Sequence, residues 1–223
     1  MSKPSLLAIS SSKLASPVQG DAGLESANQG QIVAPNLVSL AGTKLKLGNE
    51  PRIETRQILT IAGGQIEVSG TEPDFSNLET VDGTNIFVSE GGRLSLPKVD
   101  SYAGDGGGFR GQLQATGTGS ILDLSTVKAL TGNTFVNDHL SVKAGDGGKI
   151  NLSQVPEITV GMVQFMADGE SSFIDLSALT QFVKGGNGTS SMEALNGGTI
   201  QAPILTEIGD VNLVAETGVI LRP

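Results

Sequence analysis

The feature that most constrains this chain is a line of apolar residues that returns roughly every 27 residues. Leu59, Ile86, Leu113, Leu140, Phe165 and Met192 each open a short run, and Leu24 and Leu213 extend the line at looser spacing. Two positions on sits a second line: Ser26, Ile61, Val88, Ala115, Val142, Ala167, Ala194 and Ala215. The i, i+2 spacing puts both lines on one face of a strand. Glycine-bearing turns follow, at Gly63-Gly64, Gly91-Gly92, Gly117-Thr118-Gly119, Gly147-Gly148 and Gly197-Gly198. Glycine there supplies positive φ without a Cβ clash.

Each turn leads into a second motif, apolar-x-Leu/Ala-Ser/Pro-x-apolar. It reads Leu94-Ser95-Leu96-Pro97-Lys98-Val99, Leu122-Asp123-Leu124-Ser125-Thr126-Val127, Ile150-Asn151-Leu152-Ser153-Gln154-Val155 and Ile174-Asp175-Leu176-Ser177-Ala178-Leu179. Tyr102, Leu130, Ile158 and Phe182 follow the four copies at one offset, and Tyr102 reads as a corner plug. Weaker copies start at Ile32 and Ile200, and the copy at Ile66 carries an insertion around Pro73 and Asp74. Pro97 and Pro203 lack an N–H and belong at bends outside a ladder.

A unit of two or three short strands cannot bury its own apolar line, but stacked units can. The expected fold is therefore all-β, a single parallel β-helix (β-solenoid) of about eight coils with a repeat of about 27 residues. Residues 1–23 read as an N-terminal cap or partial coil, and 24–223 as the solenoid repeats. A leucine-rich repeat has a similar period, but predicts one strand per repeat and an inward Asn ladder. Here each repeat holds two strand-like runs, and Asn151 reads as a residue without a counterpart. Insertions at Gly104 to Gln112, Thr131 to His139 and Gly185 to Ser191 follow the same strand, so they should project from one edge.

Composition agrees. Thirty-one glycines against seven Phe, one Tyr and no Trp suit many turns and a narrow core. The net charge of −9 disfavours nucleic acid and anionic membrane surfaces as partners. No cysteine is present, which excludes disulfides and thiolate metal sites. The apolar run at Leu6 to Ile9 is short for a signal peptide, and no stretch is long enough for a membrane span. An export signal is expected outside these residues, in a longer parent or a removed leader.

The turn and motif together, as in Gly119-Ser120-Ile121-Leu122-Asp123-Leu124-Ser125, resemble the β-solenoid repeats of large bacterial secreted and surface proteins, of the filamentous-haemagglutinin and autotransporter kind. The resemblance covers about residues 24–221 and carries no functional residue across. It implies adhesion, cell-surface scaffolding or passenger stalks, and an extracellular or cell-surface location. β-Helical cousins include polysaccharide lyases and phage tailspikes.

No catalytic, cofactor or metal residue is assigned. Gly104-Asp105-Gly106-Gly107 and Gly145-Asp146-Gly147-Gly148 look like fragments of a calcium-binding roll, but fall at different places in their repeats. Asp123 and Asp175 share an outward column with Asn151 between them, about 10 Å apart, too loose for a retaining carboxylate pair. His139 is the only histidine, and Lys149 after Gly147-Gly148 lacks the Ser/Thr and helix of a phosphate loop. The outward column is too irregular for ice binding. The expected function is a non-enzymatic structural or adhesive module with no cofactor. A protein or glycan is the expected partner on the loop-bearing edge, together with self-association through open solenoid ends. The alternatives are a carbohydrate-active β-helix, lyase- or hydrolase-like, and a self-assembling rod.

Overall fold

The computed structural model describes residues 6–8, 23–25, 31–48, 53–104, 111–134 and 138–216. Every regular element among them is a β-strand, and every strand pair in its sheets is parallel. The chain is a β-solenoid with roughly 24 residues per turn. Each coil has three faces around one apolar interior.

The first face is a nine-stranded sheet: Gly23–Glu25, Lys44–Leu47, Gln65–Ser69, Asn85–Ser89, Gln112–Thr116, Leu140–Gly145, Val163–Asp168, Ser190–Leu195 and Val211–Ala215. Its inward line is Leu24, Leu45, Ile66, Ile86, Leu113, Val142, Phe165, Met192 and Leu213. Two residues of the expected line are therefore displaced. Leu59 lies just outside the third face and is 39% exposed, and Leu140 pairs with Val163 one pleat early. The N-terminal coils are only about 21 residues long, so a fixed step of 27 jumps over one of them. With Ile66 on the first face, the insertion expected around Pro73 and Asp74 disappears, and Leu78 and Val81 are buried in step with the other coils. Gly63 and Gly64 belong to the corner entering the first face, not the one leaving it.

The second face is a five-stranded sheet of Arg93–Ser95, Ile121–Asp123, Lys149–Asn151, Phe173–Asp175 and Thr199–Gln201. Leu94, Leu122, Ile150, Ile174 and Ile200 point inward, as the motif predicts. A tight turn then carries the chain onto the third face. In each, an N–H donates to the carbonyl three residues back: Val99 to Leu96 at 3.2 Å, Val127 to Leu124 at 3.0 Å, Val155 to Leu152 at 3.1 Å and Leu179 to Leu176 at 2.9 Å. The same bond recurs at Leu37, Ile58, Leu78 and Leu205. This is the β-turn that the Ser/Pro motif encodes. Pro35, Pro97 and Pro203 occupy the position after the acceptor, which proline's fixed φ suits.

On the third face Tyr102 pairs with Leu130 in a strand, not at a corner. Its ring is 1% exposed, and its hydroxyl donates to the Thr84 carbonyl at 3.0 Å. Burial, with Asp82 nearby, pushes the phenol far above its ordinary value. A group whose pKa is raised on folding contributes stability below its unfolded pKa and loses it as pH rises beyond. Alkali should therefore ionise Tyr102 only as the chain unfolds. Because it is the chain's single tyrosine, phenolate absorbance and loss of β circular dichroism should rise together above pH ~10. Ionisation that precedes unfolding would contradict the burial.

The corner between first and second faces alternates along the rod. It has three residues at 90–92, 146–148 and 196–198, and four at 117–120 and 169–172. In the three-residue form two left-handed residues come in succession, such as Asp146 (φ 52°) and Gly147 (φ 87°). Gly148 then passes so close to the neighbouring coil that a Cβ would lie 2.2 Å from the Ala115 carbonyl oxygen. In the four-residue form the last residue is a buried serine. Ser120 Oγ accepts from Gly91 N at 3.0 Å and donates to the Thr116 carbonyl at 2.7 Å. Ser172 repeats both bonds with Gly147 and Asp168 at the same distances. Each serine thus satisfies an amide of the preceding three-residue corner.

The third corner carries the variable segments. The segments at 104–111, 132–139 and 184–189 each follow a third-face strand and precede a first-face strand, so all three leave and rejoin the described strands at the same corner. Asn133 and Met162 pair across neighbouring copies of this corner, as do Gly161 and Gly185. At the last described rung the inward columns open to solvent, with Ile208 43% and Leu213 47% exposed. Of the expected cap, residues 1–5 and 9–22 lie outside the described residues, as do 217–223 at the end of the repeats.

Candidate binding face

Asp123 and Asp175 are turn-builders. Asp123 Oδ1 accepts from Ser125 N at 3.1 Å, and Asp175 Oδ1 from Ser177 N at 2.9 Å. Asn151 Oδ1 does the same for Ser153 N at 3.0 Å, and Asp74 Oδ1 for Ser76 N at 2.9 Å. Asn151 therefore has counterparts in other coils, against the sequence expectation. Each satisfies an amide that the tight turn leaves outside the ladder. Where proline stands in the serine's place no N–H needs a partner, and the capping position holds Val33, Ser95 or Gln201. The hydrogen bonds from Ser76 hold the Asp74 carboxyl below its ordinary range.

Of the calcium-like fragments, Asp105 to Gly107 lie outside the described residues. Asp146 occupies a left-handed corner position. Among the described residues no group of three His, Asp or Glu side chains could hold a metal ion. Lys149 is exposed and opens a second-face strand between Ile121 and Phe173.

His139 sits half-buried where the 132–139 insertion rejoins the first face. Its backbone N–H donates to Asp138 Oδ1 at 2.9 Å, and the buried Asn133 donates from Nδ2 to Asp138 Oδ2 at 2.8 Å. This staple closes the insertion at its base and sets the imidazole beside the outer surface of the sheet. There His139, Gln112, Leu113, Gln114, Ser141 and Lys143 line an open depression of about 260 Å³.

The depression belongs to a longer feature. The outward column across the first face runs Glu25, Lys46, Glu67, Phe87, Gln114, Lys143, Met166, Glu193 and Val214. Beside it runs Gln65, Asn85, Gln112, Ser141, Gln164, Ser191 and Asn212, a series of amides and hydroxyls. Charge collects at the N-terminal rungs, where Lys44 pairs with Glu67 at 2.6 Å and Lys46 with Glu25 at 2.8 Å. The four middle rungs carry one ammonium and one carboxylate, Lys143 and Asp168, 3.9 Å apart. Such exposed pairs are worth at most about 1 kcal/mol each. At the end of the 184–189 segment the Thr189 carbonyl accepts from Gln164 Nε2 at 3.3 Å, and Ser191, in the same column as Gln164, is 2% exposed.

The chain matches no family model, no curated protein and no solved structure. The architecture rests on the structure itself, a parallel β-solenoid. In the sequence His139 carries no assigned role and the insertions mark an edge, while the face they border goes unseen. Phe87 and Gln114 appear in sequence as an irregular outward column, and only cross-rung register shows that the surrounding residues are amides and hydroxyls.

Proposed function

We propose that this chain is a non-enzymatic structural or adhesive module, of the kind carried by bacterial surface or secreted proteins. The observation that carries the reading is how its carboxylates are spent. Asp74, Asp123 and Asp175 hold turn amides, while the insertions gather at one corner beside an outer face of amides and hydroxyls. Such a rod holds a surface at fixed spacing, each coil supported by its neighbours.

The competing use of a β-helix is polysaccharide cleavage. The full chain incubated with pectin, alginate, xylan and chondroitin sulfate should release no reducing ends and no unsaturated products. Release that Asp123→Asn or Asp175→Asn abolishes, with the fold retained, would overturn the proposal and make those carboxylates catalytic.

A further inference from the structure

The middle of the first face has an aromatic ring beside a row of amides. Phe87 and Gln114 are register partners on adjacent rungs, which parallel strands set about 4.8 Å apart. Phe87 points outward and is half-buried, so its ring takes no place in the solenoid core. Gln114 Nε2 donates to Thr116 Oγ1 at 2.9 Å, which fixes the amide's orientation. Gln112 and Ser141, themselves register partners, line the depression with Gln114, beside Leu113, His139 and Lys143.

We infer that this face binds an uncharged saccharide, which stacks on Phe87 and hydrogen-bonds through its hydroxyls to Gln112, Gln114 and Ser141. The inference rests on the reading of the chain as a binder and not a cleaving enzyme. A sugar ring offers an apolar C–H face to an aromatic and a rim of donor–acceptor hydroxyls to carboxamides; Phe87, one rung from Gln114, supplies the first and the lining of the depression the second. The net charge of −9 disfavours an anionic ligand, and the four middle rungs carry one ammonium and one carboxylate, Lys143 and Asp168, while the Asp138 carboxylate at the edge is engaged by Asn133 and the His139 amide. A peptide has less to hold here. The Gln112–Thr116 strand is hydrogen-bonded on both sides within the sheet, so no backbone edge is open to strand addition.

Affinity electrophoresis of the full chain through gels containing dextran, galactomannan or arabinoxylan tests the inference, with polygalacturonate as the charged comparison. At least one of the three uncharged polymers should retard the protein. Phe87→Ala should weaken that retardation about tenfold and Gln114→Ala about fivefold, the scale of a central contact at a binding surface. Phe173→Ala, which truncates an outward ring on the second face, should leave it unchanged. Retardation should change less than about twofold between low salt and 0.5 M salt, since screening acts on charge. No retardation by any of the three overturns the inference, as does retardation by polygalacturonate alone or equal loss in Phe87→Ala and Phe173→Ala. Reducing ends appearing in the retarding polymer would instead overturn the non-enzymatic reading, so the two failures are distinguishable.

Discussion

Gly148→Ala should destabilise the chain by about 3 kcal/mol or more, whereas Gly145→Ala, three residues earlier, should be close to neutral. The methyl at 148 would lie 2.2 Å from the Ala115 carbonyl oxygen, 2.5 Å from its carbon and 2.9 Å from Thr116 N. All three are backbone atoms of the adjoining coil, so no side chain can rotate away. Relief requires the rungs to part, which breaks the Lys149 N–H bond to the Ser120 carbonyl at 2.9 Å. Overpacking of this kind reaches or exceeds the upper end of about 1–3 kcal/mol. At 145 the methyl would meet only Lys143 Cε at 3.6 Å and Thr116 side-chain atoms at 3.8 Å and beyond, which is ordinary contact. For a chain of this length, 3 kcal/mol lowers the melting temperature by about 6–12 °C. Equal melting of the two variants would show that the corner yields and the close approach has no energetic weight.

Phe165→Ala should cost about 3–5 kcal/mol, the range for deleting a buried aromatic ring. The ring is fully buried between Val142 and Met192 in its column, and meets Phe182 of the third face edge to face, centroids 5.7 Å apart at 76°. The surrounding strands are tied into ladders on both sides and cannot collapse into the void. Because a coil touches only its neighbours, the damage should be local. Amide exchange should accelerate in the strands Leu140–Gly145, Val163–Asp168 and Ser190–Leu195 while the Gln65–Ser69 strand keeps its protection. Phe165→Leu should recover most of the loss. A uniform rise in exchange along the rod would mean that it unfolds as one unit.

Much of this architecture was legible in the residues themselves. Ile86, Leu113, Phe165, Met192 and Leu213 sit on the inward line where periodicity put them, and the Leu-x-Leu-Ser/Pro motif marks the tight turn. The errors have two causes. A shift of two residues keeps a strand's apolar face inward, so pattern alone cannot separate Leu140 from Val142. Coil length also varies with the third corner, and the short N-terminal coils escaped a search tuned to the longer ones. The binding face was least legible, because residues such as Phe87, Gln114 and Ser141 are ordinary in their own strands. Their meaning comes from neighbours 25 or more residues away, which only register brings side by side.

The alternating corners also bear on how such a rod can grow or shrink. Ser120 and Ser172 each reach back to an amide in a three-residue corner, so a coil of one kind fits best beside a coil of the other. Loss or duplication of a single coil would set two like corners against each other, leaving a serine without its amide or a glycine amide without its serine. Removing or copying a pair would keep every contact. Between residues 90 and 198 the unit that keeps these contacts is therefore two coils.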